Sequence, residues 1–211
     1  MDKSKSEDFS NRVAGAVSVI FHPFLIPVYG LTIIFVAPTL FNYLPFGFKK
    51  LIILVVLVNN VMLPLSLMPI LVNRKLISSW FMDERKDRVI PLIISTILYI
   101  VSTYIMFRFP VPLFMKSFFI AVSFLSLTAT LVNFWWKISL HSIGAGLLVA
   151  LVIILTFRMF TPLLWYLIPA ILIAGLILSA RLKLNFNSPG QVWVGFITGF
   201  AGFAVIVLLF Q

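Results

Sequence analysis

The stretch Lys137-Ile138-Ser139-Leu140-His141 holds the residue types best suited to chemistry in this chain of 211 residues, including one of its 2 histidines. Lys137 and His141 are four residues apart, so they share a face if the segment is helical. Ser139 lies between them, where a hydrophobic run begins. A helix start offers unpaired backbone N–H groups and positive potential. An anion bound there would meet the Lys137 ammonium, the Ser139 hydroxyl and the His141 imidazole. An interfacial histidine with a purely structural role fits the same residues, and both readings stay open. Two further cationic clusters adjoin hydrophobic runs. Residues 83–91 contain Arg85, Lys86 and Arg88, and Arg85 and Arg88 could fork onto one phosphate from a shared helical face. A solvated loop with internal ion pairs is the plainer alternative. Residues 181–191 contain Arg181, Asn187 and Gln191.

What must position these residues follows from composition. Hydrophobic residues make up 62% of the chain and charged residues 10%, against roughly 25% charged in a soluble domain. So few surface-forming residues imply a bilayer around the protein. Runs of about 20 apolar residues fall at 14–37, 51–72, 89–107, 111–133, 138–157, 162–180 and 191–210. The fold expected is all-α: a polytopic transmembrane bundle of about seven spans, with residues 1–12 as a polar tail and 13–211 as one membrane domain. A membrane barrel would show ten-residue alternating segments, and these runs do not alternate. With these spans, an even number of crossings separates each cluster from the next, so all three fall on one side. The aromatics Phe134, Trp135 and Trp136 precede Lys137 and read as an interfacial belt.

Polar residues inside the runs need partners. His22 sits beside Pro23, with Pro27 following, so the first span should bend and free backbone carbonyls. His22 fits a role in satisfying them, and equally a pocket role. The count of spans puts it about half a bilayer deep. Asn59 and Asn60 must face protein, either as interhelical hydrogen bonds or as a polar path. Net charge is +10 with the cations in short loops. Expected partners are therefore anionic or phosphate-bearing membrane lipids, together with other membrane proteins, and not nucleic acid. No metal or other cofactor is implied. The absence of cysteine excludes disulfides and thiolate chemistry.

Together the three clusters resemble the type 2 phosphatidic acid phosphatases, the membrane branch of a superfamily that includes the vanadium haloperoxidases. That family carries Lys-x6-Arg-Pro, then Pro-Ser-Gly-His, then Ser-Arg-x5-His-x3-Asp. Ser139 and His141 match the second motif, without its Pro and Gly. Arg181 matches the third, with Ala180 in place of Ser. Arg88 and Pro91 stand for the first, separated, with Phe81 where Lys is expected. Asn187 occupies the place of the third-motif His, and Gln191 that of its Asp. Two spans separate the first and second motifs here, whereas the family usually keeps both in one loop.

The resemblance implies a phosphate pocket of Arg85, Lys86, Arg88, Lys137, Ser139 and Arg181, with His141 as the general acid of an active enzyme. In the family, the third-motif His attacks phosphorus, the Asp orients it, and the cations neutralise phosphoryl charge. Asn187 and Gln191 can do neither job. The favoured expectation is a catalytically degenerate protein that binds a lipid phosphate or serves in a membrane complex. An active lipid phosphatase with a rearranged mechanism and an unrelated helical transporter or scaffold stay open. The expected location is a bacterial inner membrane. Lys/Arg bias places the motif side in the cytoplasm, whereas bacterial relatives of this family usually face outward.

Overall fold

The computed structural model describes residues 3–78 and 84–210, and side chains of the first helix from Asp8 onward. Phe81 and Asp83 therefore lie outside the described residues. Among those described there are α-helices and no strand: α1 (Lys3–Ile20), α2 (Ile26–Val36), α3 (Phe46–Val56), α4 (Leu63–Asn73), α5 (Val89–Arg108), α6 (Leu113–Asn133), α7 (Leu140–Met159), α8 (Leu164–Lys183) and α9 (Pro189–Leu209). They form 7 stretches long and apolar enough to cross a membrane, from Asp8–Val36 to Pro189–Leu209. The all-α bundle and its number of spans agree with the sequence reading, and the boundaries move by a few residues.

Two stretches are not continuous α-helices. The first breaks after Ile20 and resumes through a 3₁₀ turn at Pro23–Leu25 before α2 begins. Pro23 and Pro27 each sit in the first turn of a helical element, where a missing N–H costs nothing. In the second, a π-helical segment at Leu57–Met62 joins α3 to α4. It carries Asn59 and Asn60, both buried. Asn59 Nδ2 donates to the Leu98 carbonyl at 2.6 Å and to Ser102 Oγ at 2.6 Å, and Ser102 Oγ donates to Asn60 Oδ1 at 2.7 Å. The asparagine pair thus ties this span to α5, the plainer of the two sequence readings. Serines and threonines continue the polar contacts between α5 and α6: Thr96 meets Ser126 and Thr130, and Thr103 meets Ser123.

α7 is the central helix. Its residues from Ser142 to Val152 are all buried, and a helix apolar all round belongs inside. It packs most extensively on α9, then on α8, with α2 along another face. Glycines set the α7–α9 approach. A Cβ on Gly199 would run into the Ile143 backbone, and one on Gly146 into the Phe196 carbonyl and Phe200 nitrogen. Neither obstacle is a flexible side-chain tip, so only a residue without Cβ allows the separation.

Gly199→Ala is expected to lower stability by about 1–3 kcal/mol through overpacking. Gly175→Ala has nothing within 4 Å to meet and should be neutral or stabilising by up to about 1 kcal/mol from helix propensity. Thermal unfolding of both variants in the same detergent checks the contrast. Topology is checked separately, since the chain has no cysteine of its own. Single cysteines at Trp135 and Lys183 should label from one face of the membrane, and at Tyr43 and Trp165 from the other.

Candidate functional site

One end of the bundle gathers the chemistry-bearing residues. The Ser139 backbone N–H donates to the Gln191 carbonyl at 3.3 Å, fastening the start of α7 to the first turn of α9. Ser139 is the N-cap of α7. Its hydroxyl accepts from the Ser142 N–H and, at 2.8 Å, from the Ser142 hydroxyl. It is only 1% exposed. The expectation that this hydroxyl faces a ligand is therefore corrected: capping an orphan N–H uses it inside the protein.

The break in the first span reaches this same end and brings His22 beside His141. The His22 and His141 ring centroids are 5.9 Å apart, with the planes at 78°. The break explains the pairing. The Phe21 N–H bonds to the Val17 carbonyl and the His22 N–H to that of Val19. Neither the Ser18 nor the Ile20 carbonyl then receives its usual partner from the next turn. His141 Nε2 takes the Ser18 carbonyl at 3.0 Å, and the Tyr29 hydroxyl takes that of Ile20 at 2.7 Å. His22 does not satisfy a freed carbonyl, as the sequence suggested. Its Nδ1 accepts from the Phe24 N–H at 3.3 Å and caps the 3₁₀ turn. These bonds fix the neutral tautomers: His22 carries its proton on Nε2, and so does His141. The His141 proton is already donated to Ser18, so general-acid action would require a second proton on Nδ1.

The third cluster closes around Asn187. Arg181 and Lys183 lie in the last turn of α8, and their charge suits a helix C-terminus. Asn185 adopts a left-handed conformation with φ 54°, which asparagine tolerates, and the chain turns back toward Arg181. Arg181 Nε donates to Asn187 Oδ1 at 3.2 Å. Asn187 Nδ2 donates to Gln191 Oε1 at 3.0 Å. Gln191 Oε1 also accepts from the Ser188 N–H, while Ser188 Oγ accepts from the Gln191 N–H, a reciprocal capping box for α9. Arg181 is buried, with its guanidinium 4.6 Å from the Phe186 ring centroid.

The charge of Arg181 is felt at both imidazoles and that of Arg88 at His141. Arg88 is buried on the 3₁₀ turn Lys86–Arg88, whereas Lys86 is exposed. Arg88, Lys137 and Arg181 are each engaged by a partner. Arg85 does not join Arg88 on one face. Its guanidinium donates to the Asn133 and Phe134 carbonyls, and Asn133 Nδ2 returns a bond of 3.1 Å to the Arg85 carbonyl. The forked pair is thus corrected: the orphan carbonyls at the end of α6 capture Arg85. None of the family models, curated proteins or solved structures compared with the chain matches it.

An apolar cleft of about 80 Å³ begins at Pro23, Phe24 and Leu140, next to the two histidines, and runs between α2, α5, α6 and α7 past Tyr99, Leu125 and Leu147. The arrangement suits recognition: arginines and imidazoles gather at one end of the bundle, and the apolar cleft is lined by Pro23 and Leu140, the chain neighbours of the two histidines. It lacks a nucleophile at Asn187, because an amide nitrogen's lone pair is delocalised into its carbonyl; both polar atoms of that side chain are hydrogen-bonded instead. No group of three metal-ligating side chains occurs among the described residues.

Asn187→Ala should destabilise the protein by about 1–3 kcal/mol, since it deprives a buried guanidinium and the Gln191 side chain of a partner at once. The melting temperature of the variant measures this, and an unchanged value would show the amide bridge to be incidental.

Proposed function

We propose that this integral membrane protein binds a phosphate-bearing lipid headgroup at the end of the bundle formed by Arg88, Lys137, Arg181 and the two histidines, and that it does not hydrolyse the ligand. The observation that carries this reading is the Arg181–Asn187–Gln191 chain of hydrogen bonds. It occupies the positions where the resemblance to type 2 phosphatidic acid phosphatases puts the phosphate-binding arginine, the attacking histidine and its orienting aspartate. The register is kept as a bonded chain, while the lone pair that attacks and the charge that supports it are gone. Arginine donors suit phosphate oxygens bidentately. The apolar cleft beside His22 and His141 favours a lipid over a free phosphate ion. The same resemblance places the protein in a bacterial inner membrane. The transporter reading has less support, because Asn59 and Asn60 bond to α5.

Two measurements on protein in phosphatidylcholine nanodiscs test the proposal. Short-chain phosphatidic acid should bind, and Arg181→Gln should weaken it about tenfold or more, as loss of a charge-assisted hydrogen bond implies. Phosphate release from phosphatidic acid, phosphatidylglycerophosphate and polyprenyl pyrophosphate should be absent. Turnover that survives Asn187→Ala but vanishes with His141→Ala would replace the binding reading with an active phosphatase of rearranged mechanism. Asn187→His with Gln191→Asp rebuilds the attacking imidazole and its charge partner, and should generate activity only when both changes are present.

A further inference from the structure

We infer that His22, from the broken first span, is a ligand-binding residue of this site, donating its Nε2–H to an oxygen of the bound phosphate group. The inference rests on the phosphate reading above and adds a donor that none of the three motifs contains. Three observations carry it. The ring stands 5.9 Å from His141, at the end of the bundle that holds Arg181. Its Nδ1 is occupied by the Phe24 N–H, so the neutral ring presents a proton at Nε2, a donor and not a nucleophile. Finally, no described residue accepts from that Nε2, and the ring is only partly exposed, so the N–H stays within reach of a ligand. An N–H left open in this way can take an acceptor from a bound group. A phosphate oxygen between His22 and Arg181 supplies the missing acceptor, and it does so with charge assistance.

The geometry also explains why the donor is a histidine on a helix break. In a continuous helix the ring would have no backbone N–H to fix its tautomer. The N-cap position supplies one through Phe24, and Pro23 holds the turn that aims it. Capping and ligand donation therefore use the two nitrogens separately, and two substitutions separate them. His22→Asn keeps an acceptor where Nδ1 was, a good N-cap, but ends short of Nε2. His22→Gln places an amide N–H near the Nε2 position but loses the short acceptor.

The experiment is titration of the full-length protein in phosphatidylcholine nanodiscs with dioctanoyl phosphatidic acid, and separately with inorganic phosphate, for the natural chain, His22→Asn, His22→Gln and Arg181→Gln. Melting temperatures are recorded alongside. We expect His22→Asn to weaken phosphatidic acid binding about tenfold at unchanged melting temperature, the loss of one hydrogen bond to a charged group. His22→Gln should bind within about threefold of the natural chain while melting lower. Inorganic phosphate should show the same rank order if the headgroup alone is read, and no binding if the lipid chain is required. A His22→Asn protein that binds like the natural chain, while Arg181→Gln does not, overturns the role of His22 and leaves the phosphate reading standing. Binding unaffected by any of the substitutions, or absent in the natural chain with both probes, overturns both.

Discussion

A membrane helix that stops short must find partners for its last carbonyls, because hydrocarbon offers none. In this protein that requirement organises the site. α1 ends at Ile20, and the Ser18 and Ile20 carbonyls lose their next-turn donors. His141 reaches from the first turn of α7 to the first, and Tyr29 from α2 to the second. The bond from His141 to Ser18 joins two segments 123 residues apart in sequence. It also fixes which imidazole nitrogen carries the proton. A histidine that reads from sequence as an acid is thereby a latch in its neutral form, and the break it latches brings the second histidine beside it.

The same logic of orphan backbone groups decides which cations remain at the site. Arg85 and Arg88 lie three residues apart, yet the end of α6 presents free carbonyls and takes Arg85. Arg88 turns inward and is buried. Ser139 and Ser188 each cap the helix they precede. Burying Arg181 is expensive unless its donors are met, and Asn187 meets one of them. Gln191 completes the chain while serving the capping box of α9. An amide pair at these two positions is therefore compatible with the fold, since Asn187 Oδ1, Asn187 Nδ2 and Gln191 Oε1 each have a use that requires no charge.

The sequence made the bundle legible because hydropathy over 20 residues is a strong signal and the loops are short. It exposed Pro23 and Pro27, and with them the bend, but not what the bend brings together. Span counting treats residues 14–37 as one rod, whereas the helix breaks after Ile20 and resumes at Pro23, and that break brings His22 beside His141. The clusters at 137–141 and 181–191 do lie at one end of the bundle, as even numbers of spans require. The misplaced residues, Arg85 and Ser139, have side-chain bonds that depend on where helices end within a single turn. Hydropathy does not resolve that scale. The asparagine pair at 59 and 60 announced a protein-facing role, and only the π-helical segment determines that α5 is the partner.

Rigidity is the last element, and it comes from glycine. Ser139, which leads α7, bonds to Gln191 on α9, so the site inherits whatever separation those helices keep. Gly146 and Gly199 let the two backbones touch, and Gly195 continues the contact to the Ser139 carbonyl, which a Cβ would approach to 2.7 Å. Close backbone packing over that length leaves little freedom for the helix starts to slide. Gly144 extends the same principle to the other face, where a Cβ would meet Ile26 just past the 3₁₀ turn. The break carrying His22, the start of α7 carrying His141 and the start of α9 carrying Gln191 are thus held to one helix by small residues. Preorganised donors lose little freedom on meeting an anion. The construction consequently suits a binding site whose selectivity depends on fixed geometry, and the moving part of any response would have to be the ligand.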